Sequence, residues 1–455
     1  MYFMKKNDII NLDIVDIGNN GEGIAKKDNL VIFIPFALLN ENIETLILKV
    51  NKNIAFGKIL KINKPSELRI NAPCPYFMKC GGCDLQHIKY SEQLKFKTNT
   101  VKTALHKYAD IDFPVDDCFS TNKIFNYRNK MQYPCSNGKI GMYAPNSHRL
   151  IDIEYCALSM PLCHKAYTVF RDFCKQSNSS MYNEETHTGI IRNVLFREID
   201  SCVAICVIIN NNTLPNSNLL IELLKKEFNE NFSLFININK QHTNVILSNK
   251  TICLYGQNYL STYDFNVKYY ISPNSFLQVN REIQNEIYSR VLKEITNNST
   301  VINTYSGAGL LTAIIAKKAK FVYGIEIIDV ATKNANELIT ENNIHNVKNI
   351  TGDCSAELPK IINNVKIDDT IVVLDPPRKG CSLEVVKALN ESEPNKIIYI
   401  SCNPATLARD LKLLKNKYSI KSISPFDMFP QTKHIETLVC LEKNNKLTKL
   451  KAPIY

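Results

Sequence analysis

The chain has no tryptophan, and glycine and proline are sparse, at 15 and 18 of 455 residues. Linker-rich and collagen-like architectures are therefore excluded. No uncharged apolar run approaches the ~20 residues that cross a bilayer. The first ten residues carry Lys5, Lys6 and Asp8 where a secretory leader would be apolar. A soluble, cytoplasmic protein without membrane partners is the expectation. What remains is ordinary globular composition, 45% hydrophobic and 22% charged, in a chain long enough for two or three domains. Lys and Arg exceed Asp and Glu by 55 to 44, a net charge of +11 that suits a polyanionic partner. Cysteine is abundant: 15 residues, an odd number. In a reducing compartment that count points to metal ligation or catalysis plus buried thiols, not to disulfides.

Short β-like runs fill the beginning of the chain, at residues 9–17, 30–34, 45–50 and 54–62, with turn signals at 18–21. They predict a small OB-like β-barrel over residues 1–64; a ligand-free SH3-like packing domain fits the pattern equally. Residues 65–270 form a second region, a mixed, strand-rich α+β domain. It opens with prolines around Cys74, then Cys80, Gly81, Gly82 and Cys83. A basic helix follows over residues 91–108, carrying Lys95, Lys97, Lys102 and Lys107. From 271 to 455 the period changes. Strands at 301–305, 321–325, 371–374 and 396–400 alternate with helices at 310–318, 330–341, 383–389 and 405–414. That alternation predicts a doubly wound, Rossmann-like α/β sheet. No internal repeat is present.

Asn303-Thr304-Tyr305-Ser306-Gly307-Ala308-Gly309 follows one strand and opens a helix, where glycines let backbone N–H groups approach a ligand. Glu326 ends the next strand, at the place where an acidic residue accepts from ribose hydroxyls in such folds. Asp353 follows the third strand, and Asp375-Pro376-Pro377-Arg378 the fourth. A full GxGxxG is missing, so an adenosyl ligand such as S-adenosylmethionine fits better than a dinucleotide. A solvated Glu and a plain strand-ending turn are the bland alternatives. Cys402, between a strand and a helix, would feel the positive end of the helix dipole, which predicts a lowered thiol pKa. His434 and Glu436, two apart, would share one face of a strand, with Glu436 as general base or as half of an edge salt bridge. Cys74, Cys80 and Cys83 give C-x5-C-x2-C with Cys156 as a distant fourth. All-thiolate ligation suits a [4Fe–4S] cluster or zinc, and spacing does not separate them. Cys163, Cys174, Cys202 and Cys206 read as buried thiols.

Taken together these stretches resemble the RNA uracil-C5 methyltransferases that carry a TRAM domain and an iron–sulfur cluster. The match rests on Cys74-x5-Cys80-Gly-Gly-Cys83, Gln86-His87 with Tyr90, Tyr127-Arg128-Asn129-Lys130, Tyr155-Cys156, the segment from Ser272 through Gln278 to Asn280, Asp375-Pro-Pro-Arg378-Lys-Gly380, Ser401-Cys402-Asn403-Pro404 and His434-Ile-Glu436. They span nearly the whole chain. The resemblance implies a TRAM barrel that binds RNA, a central cluster-bearing domain and a class I methyltransferase domain. It implies Cys402 as the nucleophile toward uracil C6 and Glu436 as the base for the C5 proton. Gln278, Tyr305, Glu326 and Asp375 would contact S-adenosylmethionine, with Asp353 an addition. It favours a [4Fe–4S] cluster on Cys74, Cys80, Cys83 and Cys156 over zinc. The implied reaction is 5-methyluridine formation in 23S rRNA. The same chemistry on the tRNA T-loop, or a non-catalytic metal-stabilised RNA-binding assembly factor, are the alternatives. No obligate protein partner is implied. Two positions depart from the family pattern: Asn303 where an Asp is usual, and Ser306 where a Cys is usual. Lys95, Lys97, Lys102, Arg128 and Lys130 are expected to meet RNA phosphates.

Overall fold

Six strands between Ile9 and Lys64 pair in the order Ile9–Asp13, Asn42–Val50, Ile54–Lys64, Leu30–Ile34, Gly23–Lys27, Asp16–Ile17. The computed structural model describes residues 4–444. Alternation sets the inner face of this sheet: along Asn42–Val50 the residues Ile43, Thr45 and Ile47 are buried and their neighbours are not. Together with Leu12, Ile32, Ile34 and Ala55 they give the barrel a core of its own. The barrel docks on the following segment through a partly buried ion pair, Arg69 Nε to the buried Glu41 Oε1 at 2.5 Å. Phe36, Phe77 and His87 pack ring against ring beside it.

The basic helix forms over Tyr90–Ala104 and continues as a π turn, Leu105–Ala109, which packs on helix Pro404–Leu414. A seven-stranded mixed sheet follows, from Thr251–Tyr255 at one edge to Leu150–Asp152 at the other. Helices Pro161–Ser177 and Ser217–Phe228 cover one face, with Phe170 of the first packed in the same core as Tyr133 and Phe196 of the sheet. The other face contributes Leu195, Cys206 and Ile208 to a core shared with the C-terminal sheet. Burial on both sides explains why Cys202–Ile209 reads as an unbroken apolar run. Cys202 itself, at the strand's start, is partly exposed and not a buried thiol; Cys163, Cys174 and Cys206 are buried.

The C-terminal sheet has the order Val347–Thr351, Phe321–Glu326, Thr300–Thr304, Thr370–Leu374, Lys396–Ser401, Glu436–Lys443, Tyr418–Phe426. Its first five strands are parallel, and Glu436–Lys443 runs antiparallel to both neighbours. The chain leaves Thr300–Thr304 toward one edge and returns at Thr370–Leu374 toward the other. The sheet's switch point therefore lies between those two strands. The expected strand 301–305 stops at Thr304, because Tyr305 takes a left-handed φ of 56° to start the turn. No helix of the described residues is long and apolar enough to cross a membrane.

Candidate active site

Strand register places the functional side chains in one row. Thr304 and Leu374 are paired, so Tyr305 and Asp375 are the first residues past adjacent strand ends. Ser401 pairs with Thr437 on the antiparallel neighbour, which sets Cys402 beside Glu436 at the next position. Glu326 ends the strand on the far side of Tyr305. Five residues scattered over more than a hundred positions thus line one edge of the sheet.

A pocket of about 260 Å³ opens at the switch point, lined by Gln278, Tyr305, Asp375, Asn303, Gln284 and Tyr288 among others. Gln278 arrives on a loop held by the central domain. Asn129 Nδ2 donates to the Gln278 carbonyl at 2.9 Å, and Arg197 Nη2 to that of Ser275 at 2.8 Å. Asn303 spends its amide N–H on Thr312 Oγ1 at 2.8 Å. Its Oδ1 and the Oε1 of Gln284 are buried without partners. Two orphaned acceptors beside a carboxylate fit a ligand rich in N–H and O–H donors, as the ammonium and ribose of S-adenosylmethionine are. Gln284, Tyr288, Asn334 and Glu337 also line this pocket. No sequence signal marks them, because helix surface positions look alike until packing selects the inward ones.

Two expected cofactor residues stand differently. The Glu326 carboxylate accepts from the Gly307 and Ile328 amides at 2.8 and 2.9 Å, so it braces the glycine turn. Asp353 is exposed and caps helix Cys354–Ile362, accepting from Ser355 N at 2.8 Å. Neither lines the pocket.

Electrostatics at Cys402 reverse the expectation from the helix dipole. Its thiol pKa is pushed up to about 11 by burial and by the carboxylates of Glu436 and Asp375, with the Arg378 guanidinium pulling the other way. Desolvation and two like charges outweigh a dipole that is worth about 0.3–1 kcal/mol. Glu436 is 5% exposed and its pKa is driven well above the usual carboxylate range by burial and by Asp375. Burial alone raises Asp375 to about 7. His434 precedes the strand that begins at Glu436, so the two share no strand face. His434 Nδ1 instead lies 3.5 Å from Arg378 Nη2.

The four cysteines of the second motif also meet. Cys74, Cys80, Cys83 and Cys156 line one small cavity, walled by Phe77 and Met142. Burial, and to a smaller extent the neighbouring thiols, raises the pKa of Cys80 and Cys83. An all-sulfur, apolar-walled donor set fits a thiolate-held group. Among the described residues, no three His, Cys, Asp or Glu side chains are gathered as a single ion requires. Of the basic residues expected on RNA, Lys95 and Lys102 are exposed. Lys97 is not: fully buried, it pairs with Asp427 Oδ1 at 2.5 Å. Lys130 is half-buried next to Arg197, with its pKa lowered to about 8.

The sheet order, the switch-point pocket and the carboxylates at strand ends define a class I S-adenosylmethionine-dependent methyltransferase. Residues 216–444 match the tRNA (uracil-5-)-methyltransferase family and residues 5–60 the TRAM domain. An uncharacterized RNA methyltransferase of Clostridium tetani is 38% identical over 449 residues, 96% of this chain and 97% of that protein. One of Staphylococcus aureus is 36% identical over 450 residues, 96% and 99% of the two chains. Among solved structures, Pyrococcus abyssi tRNA (uracil-54, C5)-methyltransferase in complex with S-adenosyl-L-homocysteine is 26% identical. It superposes with a TM-score of 0.77 over 95% of this chain and 99% of that one. The chain belongs to the tRNA (uracil-5-)-methyltransferase family: it is an S-adenosylmethionine-dependent RNA methyltransferase with an N-terminal TRAM domain.

Proposed function

We propose that this protein methylates C5 of a uridine in 23S rRNA, with Cys402 as nucleophile and Glu436 as base. The register that sets Cys402 beside Glu436, one strand from Asp375, is the observation that carries the reading. C5 of uracil is a weak nucleophile toward a sulfonium methyl, and thiolate addition at C6 makes it enolate-like. Cys402 Sγ bonds to C6 as its proton leaves to solvent, a step favoured by Arg378. The C5 electron pair then takes the methyl carbon, and the donor sulfur keeps the broken bond's pair. Glu436 removes the C5 proton, the C5=C6 bond re-forms and the C6–S bond breaks. One proton is released per cycle. A carboxylate whose pKa burial has raised is the stronger base once ionised, as this step requires. Gln278, Tyr305 and Asp375 would hold the methyl donor, whose bound position supplies the proximity that makes the transfer unimolecular. Glu326 would act from behind Gly307, whereas Asp353 caps its helix outside the pocket and would act only through that helix. The target base must leave its stack, which favours a loop over a duplex.

A four-thiol site beside a TRAM barrel is what the resemblance associates with ribosomal RNA. A tRNA uridine is the second reading, favoured by the substrate named for the P. abyssi enzyme. Cys74, Cys80, Cys83 and Cys156 would hold a [4Fe–4S] cluster, which would cross-link their loops. RNA carrying 5-fluorouridine separates the readings, since fluorine does not leave as a proton. Protein, donor and fluorinated 23S rRNA fragments should give a denaturation-resistant adduct that Cys402→Ala abolishes. Adduct on tRNA alone would move the assignment to the second reading, and no adduct on either RNA would overturn the mechanism.

A further inference from the structure

Residues 427–435 connect the last two strands and deliver Glu436, yet most of the partners of residues 427–433 come from the central domain. Asp427 lies buried between two of them: Lys97 Nζ donates to Oδ1 at 2.5 Å and Tyr90 Oη to Oδ2 at 2.8 Å. Lys97 also reaches the Phe429 carbonyl at 3.1 Å, and Tyr127 Oη that of Pro430 at 3.0 Å. Gln431 is 2% exposed with a left-handed φ of 71°, a conformation that persists in a non-glycine residue only where its surroundings enforce it. Three contacts do so. Gln93 Nε2 donates to Gln431 Oε1 at 3.0 Å, while the Asp84 and Leu85 amides donate to the Gln431 carbonyl at 3.1 and 3.0 Å. Asp84 then accepts from the Lys433 amide at 3.2 Å.

We infer that Gln93 and the Lys97–Asp427 pair are positioning residues for Glu436, fixing the segment that sets the base against the C5 proton. The inference rests on the reading of Glu436 as that base. Glu436 acts only after methyl transfer, so misplacing it stalls the enzyme at one stage, as a methylated adduct still bonded through Cys402. General damage would instead slow adduct formation itself.

The test uses full-length protein, S-adenosylmethionine and natural uridine RNA, with adduct read on denaturing gels. Glu436→Gln is the control and should accumulate adduct that wild type does not. Three variants are compared: Gln93→Leu, Gln431→Gly, which relieves the left-handed backbone, and Lys97→Met with Asp427→Leu, which removes both buried charges together. We expect turnover to fall on the order of tenfold or more, as for impaired general-base catalysis, with adduct accumulating. Trapping by 5-fluorouridine RNA, which never needs the base, should stay at the wild-type rate. If Glu436→Gln accumulates adduct and the other variants do not, the inference is overturned and the base assignment stands. If Glu436→Gln itself accumulates none, both fall.

Discussion

At the scale of single residues the site holds more protons than its chemistry suggests. Asp375 titrates near 7 against an ordinary aspartate value of 3.8, because burial penalises its charge. A carboxyl raised in the folded state binds more protons there than when unfolded. Its contribution to stability is therefore whole below about 4 and is lost as pH rises through about 7. Unfolding of the free protein followed from pH 4 to 8 should show this decline, and Asp375→Asn should flatten it. A donor-rich ligand prefers the ionised carboxylate, so S-adenosylmethionine affinity should rise between pH 6 and 8. Calorimetric titration of the Asn variant should lose that rise. Asp375 and Cys402 stand at strand ends near prolines, a local pattern that singles them out, whereas Glu436 has no such neighbour and is singled out through the resemblance. The raised thiol pKa was not readable, because it depends on burial in the tertiary fold and then on neighbours 34 and 27 positions away in sequence.

At the scale of elements, strands and helices of the last third were legible because their periods differ sharply and their turns are marked. Boundaries moved by one to three residues, helix Leu383–Ser392 running furthest past its expected end. Helix Cys354–Ile362 and strand Tyr418–Phe426 were not expected, and His434 fell outside its strand, where the segment from 427 is held by partners remote in sequence. The glycine turn offers a graded test. Gly307 has a φ of +55° with open space at its missing Cβ, whereas a Cβ on Gly309, at +82°, would sit 2.6 Å from that of Ala335. Gly307→Ala should cost about 1–2 kcal/mol, the left-handed penalty alone. Gly309→Ala should cost more, because helix Asp329–Glu341 must shift and with it the wall bearing Asn334 and Glu337. Denaturant unfolding and cofactor titration of both variants check the order. Lys97 shows where reading by composition fails. One lysine among several on a basic helix looks solvated, and only the tertiary fold reveals which one turns inward.

Across the whole molecule, segments distant in sequence close on each other in pairs. The barrel docks by Arg69 and Glu41, and the thiol cavity joins residues 74–83 to Cys156. The Gln278 loop hangs on Asn129 and Arg197. If the four thiols hold a cluster, protein purified without oxygen should be brown with about four irons per chain. Cys80→Ser should lose most of that iron, and stoichiometric zinc in colourless protein would contradict the assignment.

The Lys97–Asp427 pair spans 330 positions, and that span has a meaning during synthesis. At ~5–20 residues per second, the ammonium on helix Tyr90–Ala104 emerges on the order of tens of seconds before its counterion. Burying it alone would cost several kcal/mol. The nascent helix thus keeps one flank wet until the final strands leave the ribosome, and a chain cut short there never seals it.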